Sequence, residues 1–373
     1  MIRIKKQARA RSSIIFIFSN LREMDWINAV IRDTAKNNDV SIFSLYPTEQ
    51  EWLVKLSTAN IKVENIKFDR PKDIFKVISR LVKALSSNNI VVAHGFYSSI
   101  AAVVSGKLRF VKTVVTVRHH GKGHYENMVL KNLDRFISYN SNKVIAISDL
   151  TRELLLSEGV PQKKIIVIPN AIDVNRFIHK LPNPREKFLK QLGLNDSHFV
   201  IGMVSRFVEW KGINYTIEAF RQLLIFSPNA RLVLANAQGK NDYLDDLIAT
   251  FEENHIVKID NIGDIGDFYQ SLDVFVHTPT SLDAEPSGLV YLESLASGVN
   301  CVFTKSGVAL ELEELDRYAW LVDFKNSKDI EVAIHSIIEG ECKEIPTTEY
   351  LSRFTIESYI ENFGSFVNEI TAK

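Results

Sequence analysis

Short β-branched runs alternate with stretches of helical periodicity along this 373-residue chain, and that alternation restricts the fold more than any other feature. In the first half the runs lie at 14–19, 40–45, 90–94, 113–118 and 143–148. Between them, Ile74, Val77, Ile78, Leu81, Val82 and Leu85 recur at the spacing of one helix face. The second half repeats the scheme, with strands expected at 199–205, 230–235, 256–259, 274–277 and 300–304 and helices near 213–224 and 242–253. Strands separated by helices pair in parallel, because the crossover returns the chain in the same direction. A length of 373 residues exceeds one ordinary core, so two α/β domains are expected.

The passage between them is expected near 170–198, where 181–185 turns polar and proline-bearing. Residues 143–177, KVIAISDLTRELLLSEGVPQKKIIVIPNAIDVNRF, read as a strand ending at Ser148, a capped helix, a Gly-Val-Pro turn, a strand and a Pro-Asn turn. This gives an amino-terminal domain over 1–175 and a carboxy-terminal domain over 176–354. An amphipathic helix near 356–370 lies within the closing segment 355–373.

Net charge is zero, but its distribution is polar. Residues 1–180 hold 29 Lys and Arg against 15 Asp and Glu, and the remainder hold 16 against 30. A cationic half expects an anionic partner: a membrane surface, a lipid pyrophosphate or a nucleic acid. Cys301 and Cys342 show no metal or disulfide spacing, which favours a reducing compartment. The run SSIIFIFS at 12–19 is short for a signal sequence and reads as the first buried strand. No apolar run approaches the ~20 residues that span a bilayer. A cytoplasmic location is expected, with the protein peripheral on the inner face of the membrane through Arg3, Lys5, Lys6, Arg9 and Arg11.

The chemistry concentrates in SLDAEPSGLVYLESLASG, 281–298. A loop ending in Glu285, Pro286, Ser287 and Gly288 opens an apolar helix carrying Glu293. Free N–H groups at a helix start make an anion site. Two carboxylates eight positions apart would stand roughly 12 Å apart on one helix, which suits an elongated ligand with hydroxyls at its ends and phosphates between.

This stretch resembles the E-x7-E motif of the retaining glycosyltransferases of family 4. The resemblance extends to 143–177 and to GMVSRFVEWKG at 202–212, and covers about 90–320. It implies the GT-B fold, two Rossmann-like domains facing a cleft, with the closing helix bracing the first. It implies that Glu285 meets the donor sugar and Glu293 the ribose, while amides of Ser287, Gly288 and Leu289 meet the pyrophosphate. It assigns Arg206 and Lys211 to the leaving diphosphate, as Arg bridges two oxygens and Lys supplies a point charge. The family's usual Asn-Gly turn is Asn170–Ala171 here, and Asn itself tolerates left-handed geometry.

In the first domain, VVAHGF puts His94 at a strand end, and TVRHHGKGHYE at 116–126 is rich in imidazole. A family histidine in that loop faces the donor sugar; His119 and His120 compete for the position, and His119 is nearer the strand. Lys122 and His124 are candidates for an anionic acceptor. The family's glycine-rich loop is replaced by SNLREMDWIN, leaving Asn20 and Arg22 as candidates. His277 reads as a strand-end residue and Asp273 as a structural brace. No Asp-x-Asp or zinc-spaced His/Cys set appears, so metal-independent transfer is expected, with a nucleoside-diphosphate sugar as substrate and no cofactor. The partner reading is a glycan or lipid-linked acceptor in surface polysaccharide assembly, an anionic membrane and no nucleic acid. A sugar-nucleotide epimerase and a non-catalytic nucleotide-sugar-binding protein are the alternatives.

Overall fold

The computed structural model describes residues 11–19, 25–46, 50–57, 59, 61–119, 127–178, 184–237, 241–252, 254–260 and 262–372. The candidates Asn20, Arg22, His120, Lys122 and His124, and the basic Arg3, Lys5, Lys6 and Arg9, lie outside them.

The chain forms two compact units. The first takes the residues up to Asn170 together with the closing segment from Ile356. Its strands are β1 Ser13–Phe18, β2 Asp39–Ser44, β3 Lys62–Asn65, β4 Ile90–His94, β5 Thr113–Arg118, β6 Lys143–Ala146 and β7 Ile165–Val167. They form a parallel sheet in the order β3-β2-β1-β4-β5-β6-β7. Side chains alternate across it. Ile15 and Ile17 join Val91, Ala93 and the helices Ile74–Ala84 and Phe96–Leu108 on one face. Phe16 turns to the other, its ring 6.0 Å from Phe363 of the closing helix Ile356–Thr371. That helix buries Tyr359, Phe363, Phe366, Val367 and Ile370, and Tyr359 lies 4.7 Å from Trp26 of the helix Asp25–Asn37. The brace expected of the last helix is thus an aromatic seam on the first sheet.

The second unit runs from Ala171 to Thr355. Its strands are β8 Phe199–Val204, β9 Ala230–Ala235, β10 Ile256–Ile259, β11 Val274–His277, β12 Asn300–Phe303 and β13 Trp320–Leu321, in the parallel order β10-β9-β8-β11-β12-β13. Val200, Val204, Phe275 and Phe303 pack into one buried cluster, while Ile201, Met203, Val274, Val276 and Val302 pack into the other. Burial on both faces explains why the strands read as unbroken apolar runs.

The break falls at Asn170–Ala171, ahead of the expected 175, because Ile172 already belongs to the second core and its N–H donates to Phe354 O at 2.9 Å. Neither Asn170 nor Ala171 takes a positive φ, so no glycine is required there. Ser148 leaves β6 to cap the helix Asp149–Ser157, its Oγ accepting from Thr151 N at 3.1 Å. The helix expected over 242–253 ends at Ile248; Thr250 Oγ1 donates to Leu247 O at 2.7 Å and Phe251 turns back to stack on Phe220 at 5.7 Å. Strands β3 and β13 were not anticipated, being a polar edge run and a two-residue pairing.

In each sheet the strand order reverses once, between β1 and β4 and between β8 and β11. Loops leaving the carboxyl ends diverge there, and that crevice is where open α/β sheets bind ligands.

Candidate functional site

In the second unit, β8 ends at Val204 and passes through Ser205 and Arg206 to a short turn at Glu209–Lys211. Gly212 follows with φ +72, and a β-carbon there would collide with the carbonyl oxygen of Thr278, the first residue after β11. Trp210 O accepts from Thr280 N at 3.0 Å, and Thr216 and Thr278 hydroxyls lie 3.1 Å apart. The two loops at the switch point are therefore locked together, and the lock carries Lys211 to Glu285.

Glu285 is 5% exposed. Its Oε1 takes an ion pair from Lys211 Nζ and a hydrogen bond from His277 Nε2 at 3.1 Å. Ser306 Oγ accepts from the Glu285 amide at 3.1 Å, and Val308 N donates to Ser287 O at 2.7 Å, which fixes the segment before the helix. Burial alone would raise the Glu285 carboxyl, but the His277 hydrogen bond and the Lys211 charge overcome it and hold the pKa at about 2. Oε2 accepts no bond from a described residue, and the side chain is 7% exposed. The carboxylate is pinned by one oxygen and open at the other.

Gly288 takes φ +83 and caps the helix Leu289–Ser297. The amides of Ser287, Gly288, Leu289 and Val290 donate to no acceptor among the described residues. Four aimed N–H groups at the positive end of a helix bind anions. Because the helix begins only at Leu289, the straight-helix spacing of about 12 Å between Glu285 and Glu293 does not apply. Glu293 sits one turn in, half-buried, with Tyr269 Oη donating to its Oε2 at 2.9 Å. Burial pushes its pKa up to about 6, against the Tyr269 hydrogen bond and the Arg176 charge. Arg206 is exposed, its guanidinium 5.8 Å from the centre of the Trp210 ring, and no described acid pairs with it.

Asp273 braces the sheet: its Oδ2 accepts from Val200 N at 2.7 Å and Arg185 Nη2 at 3.0 Å. His277 is more than a strand end. Its contact with Glu285 was missed because eight residues and a loop separate them; a titratable side chain ending a switch-point strand was the available signal.

In the first unit, β4 ends at His94 and β5 leads to His119, placing His94 Nδ1 3.2 Å from His119 Nε2. His94 is buried and stacks on Phe18 at 4.7 Å, and its Nδ1 is engaged with His119, which is half-buried. Burial first, then the His119 ring, keeps the His94 pKa well below the usual imidazole range. Just before His119, buried Arg118 reaches Asp134 at 3.4 Å and Glu158 at 3.0 Å, fixing the end of β5. Among the described residues no group of three His, Cys, Asp or Glu could hold a metal ion, and no helix is long and apolar enough to cross a membrane.

Residues 34–176 match the Glycosyltransferase Family 4 family, and 184–357 match Glycosyl transferases group 1. An uncharacterized glycosyltransferase of Methanocaldococcus jannaschii is 31% identical over 194 residues, 50% of this chain and 48% of that protein. The capsular polysaccharide biosynthesis glycosyltransferase CapM of Staphylococcus aureus is 26% identical over 254 residues, 66% of this chain and 65% of the relative. The chain thus spans from about half to just under two thirds of these two relatives. Among solved structures, Anabaena HepE in complex with UDP and glucose superposes with TM-score 0.79 at 19% identity, covering 95% of this chain and 99% of HepE. Sucrose-phosphate synthase of Thermosynechococcus elongatus gives 0.76 at 16%, covering 97% and 100%.

Proposed function

We propose that this chain, which belongs to the glycosyl transferases group 1 family and has the GT-B type of α/β fold, moves a sugar from a nucleoside diphosphate to an acceptor hydroxyl with retention of configuration. The observation that carries this reading is Glu285, pinned at Oε1 and open at Oε2, next to four free amides at one helix start. Open carboxylate oxygens accept sugar hydroxyls, and helix amides accept phosphate. HepE, of the same fold, holds UDP-glucose in its own structure.

In this reading the second unit holds the donor: Glu285 Oε2 takes sugar hydroxyls, Glu293 the ribose, and the amides of Ser287, Gly288 and Leu289 the diphosphate. The anomeric C–O bond breaks with its electron pair leaving on the diphosphate. Lys211 and Arg206 stabilise that charge, without a metal ion. The acceptor oxygen bonds on the face the diphosphate left, and its proton passes to the departing phosphate oxygen. His119, held by His94, is the first unit's candidate for the acceptor side of the reaction.

The acceptor proposed is a lipid-linked glycan at the cytoplasmic face of a membrane. Relatives include CapM and an alpha-monoglucosyldiacylglycerol synthase of Streptococcus pneumoniae, 30% identical over 180 residues. The first unit supplies a surface for such a membrane. Lys107, Leu108, Arg109, Phe110 and Lys112 are exposed on the turn before β5, with Phe110 at 83%. This turn lies at the opposite end of β5 from His119, about 20 Å away at ~3.3 Å per residue. A reacting hydroxyl several sugars beyond the lipid head fits that distance better than the lipid itself.

Thermal shift with UDP-, GDP- and ADP-sugars tests the donor, since a bound ligand raises the melting temperature. One nucleotide class should stabilise the protein, and NMR of the product should show the donor's anomeric configuration. No stabilisation by any sugar nucleotide overturns the reading.

A further inference from the structure

His277 is fully buried at the end of β11, and the transfer chemistry above gives it no bond to substrate. Glu285, as a carboxylate, can only accept, so the 3.1 Å contact makes His277 Nε2 the donor. Its other nitrogen, Nδ1, is buried with no partner. Aromatic rings account for that isolation: Tyr291 stands edge-on at 4.8 Å and Phe275 lies parallel at 6.4 Å. The Tyr291 hydroxyl is committed to Thr304 O at 2.9 Å. A second proton on Nδ1 would be a buried donor without an acceptor, and burial with the nearby Lys211 charge disfavours it further.

Lys211 shares Oε1 with His277. For Lys211 to meet a diphosphate it must leave Glu285. A buried carboxylate abandoned by its partner is strongly destabilised. We propose that His277 is a positioning residue: it grips Glu285 by Oε1 through an Nε2–H, so that Oε2 stays turned to the donor sugar and Lys211 is released to exchange carboxylate for phosphate. The inference rests on the donor reading above. The groups facing Glu285 are Lys211 from the loop after β8, His277 from β11, Tyr291 from the following helix, and Ser306, which binds its amide.

The test compares the wild type with His277→Leu, which lacks the donor, and His277→Gln, whose side-chain amide returns one near Nε2. Calorimetric affinities are measured for UDP-glucose and for UDP. His277→Leu should weaken UDP-glucose at least tenfold and UDP several-fold less than that, because UDP loses only the eased release of Lys211 whereas UDP-glucose also loses the Glu285 contact to its sugar; His277→Gln should recover most of the loss. Equal weakening of both ligands means a merely structural role and overturns the proposal, as does no weakening of either in a folded variant. Long-range ¹H–¹⁵N NMR of the free wild type at pH 7.5 should show His277 as the neutral Nε2–H tautomer. An Nδ1–H tautomer or an imidazolium overturns the proposal whatever ligand is used. If the wild type binds no nucleotide-sugar, the donor reading fails while the NMR result still decides the His277–Glu285 bond.

Discussion

Gly212 lies so close to Thr278 that any β-carbon at 212 would stand well inside contact distance of the Thr278 carbonyl oxygen. Lys211 precedes the first of these residues and His277 the second, so one close backbone approach sets both groups that hold Glu285. Gly212→Ala meets two obstacles, the clash and a φ of +72, and left-handed geometry alone costs about 1–2 kcal/mol for a residue with a β-carbon. A destabilisation of about 2 kcal/mol or more is expected by chemical denaturation. Donor binding should fall further than stability explains, because the loops must part to admit the methyl group.

Lys211 and Arg206 differ in environment, and their variants should differ too. Lys211 is mostly buried against Glu285, whereas Arg206 is exposed beside Trp210. A cation in a water-poor site contributes more to stabilising a leaving group than one in solvent. Lys211→Met is expected to lower kcat by about 100-fold or more, and Arg206→Met by about tenfold. Steady-state kinetics with the donor identified by thermal shift checks the order; a larger loss at Arg206 would reverse the assignment.

Glu293 gives a pH prediction with a definite sign. Burial raises its folded pKa to about 6 from 4.5, so ionisation penalises the folded state as pH rises through that interval. The penalty is absent below 4.5 and complete above 6, on the order of 1–2 kcal/mol. Glu293→Gln should accordingly raise the melting temperature at pH 8 and leave it nearly unchanged at pH 4.5. On the proposed donor reading it should also abolish nucleotide affinity, because the ribose hydroxyls would lose a charged acceptor. Stabilisation and loss of binding in one variant separate a ligand group from a core group.

Much of this architecture is legible in the sequence alone. The ten strands expected from β-branched runs are present, because burial on both faces leaves an unbroken apolar signature, as in IVVAH at β4. The edge strands β3 and β13 were illegible for the converse reason: KVEN carries two charges, and the pairing at Trp320–Leu321 is set by β12, not by its own composition. Glu285, Lys211 and the free amides were readable because local spacing encodes a loop, a turn and a helix start. The hold of His277 on Glu285 and of His94 on His119 was not, since each depends on which strand ends the sheet order makes neighbours.

His94→Phe isolates that second hold. The phenyl ring can keep the stack on Phe18 while removing the nitrogen that His119 contacts. Because burial depresses the His94 pKa, the unfolded chain takes up a proton below about 6.5 that the folded chain refuses. Wild-type stability is therefore retained above that pH and lost below it, at up to about 1.4 kcal/mol per pH unit. His94→Phe should flatten this loss, measured by denaturant titration at pH 7 and 5. Turnover at pH 7 should fall about tenfold through the released His119, with the variant still folded.

Phe110 occupies a place that ordinarily belongs to glycine. The helix Phe96–Leu108 ends with Phe110 N donating to Lys107 O at 3.2 Å and Val111 N to Gly106 O at 2.8 Å, and Phe110 sits between them at φ +54. Helix ends of this kind favour glycine, because a β-carbon in the left-handed region costs about 1 kcal/mol or more. An aromatic ring 83% exposed returns nothing to the core for that cost. The neighbours Lys107, Arg109 and Lys112 are exposed, so cationic side chains flank the ring along the chain. An aromatic tip flanked in this way suits the headgroup region of an anionic bilayer. Phe110→Gly should therefore stabilise the protein by about 1 kcal/mol and weaken its co-sedimentation with phosphatidylglycerol vesicles several-fold, while phosphatidylcholine vesicles bind neither form. A Phe110→Gly protein that is less stable, or that binds anionic vesicles as well as the wild type, would overturn the proposed membrane role of this turn.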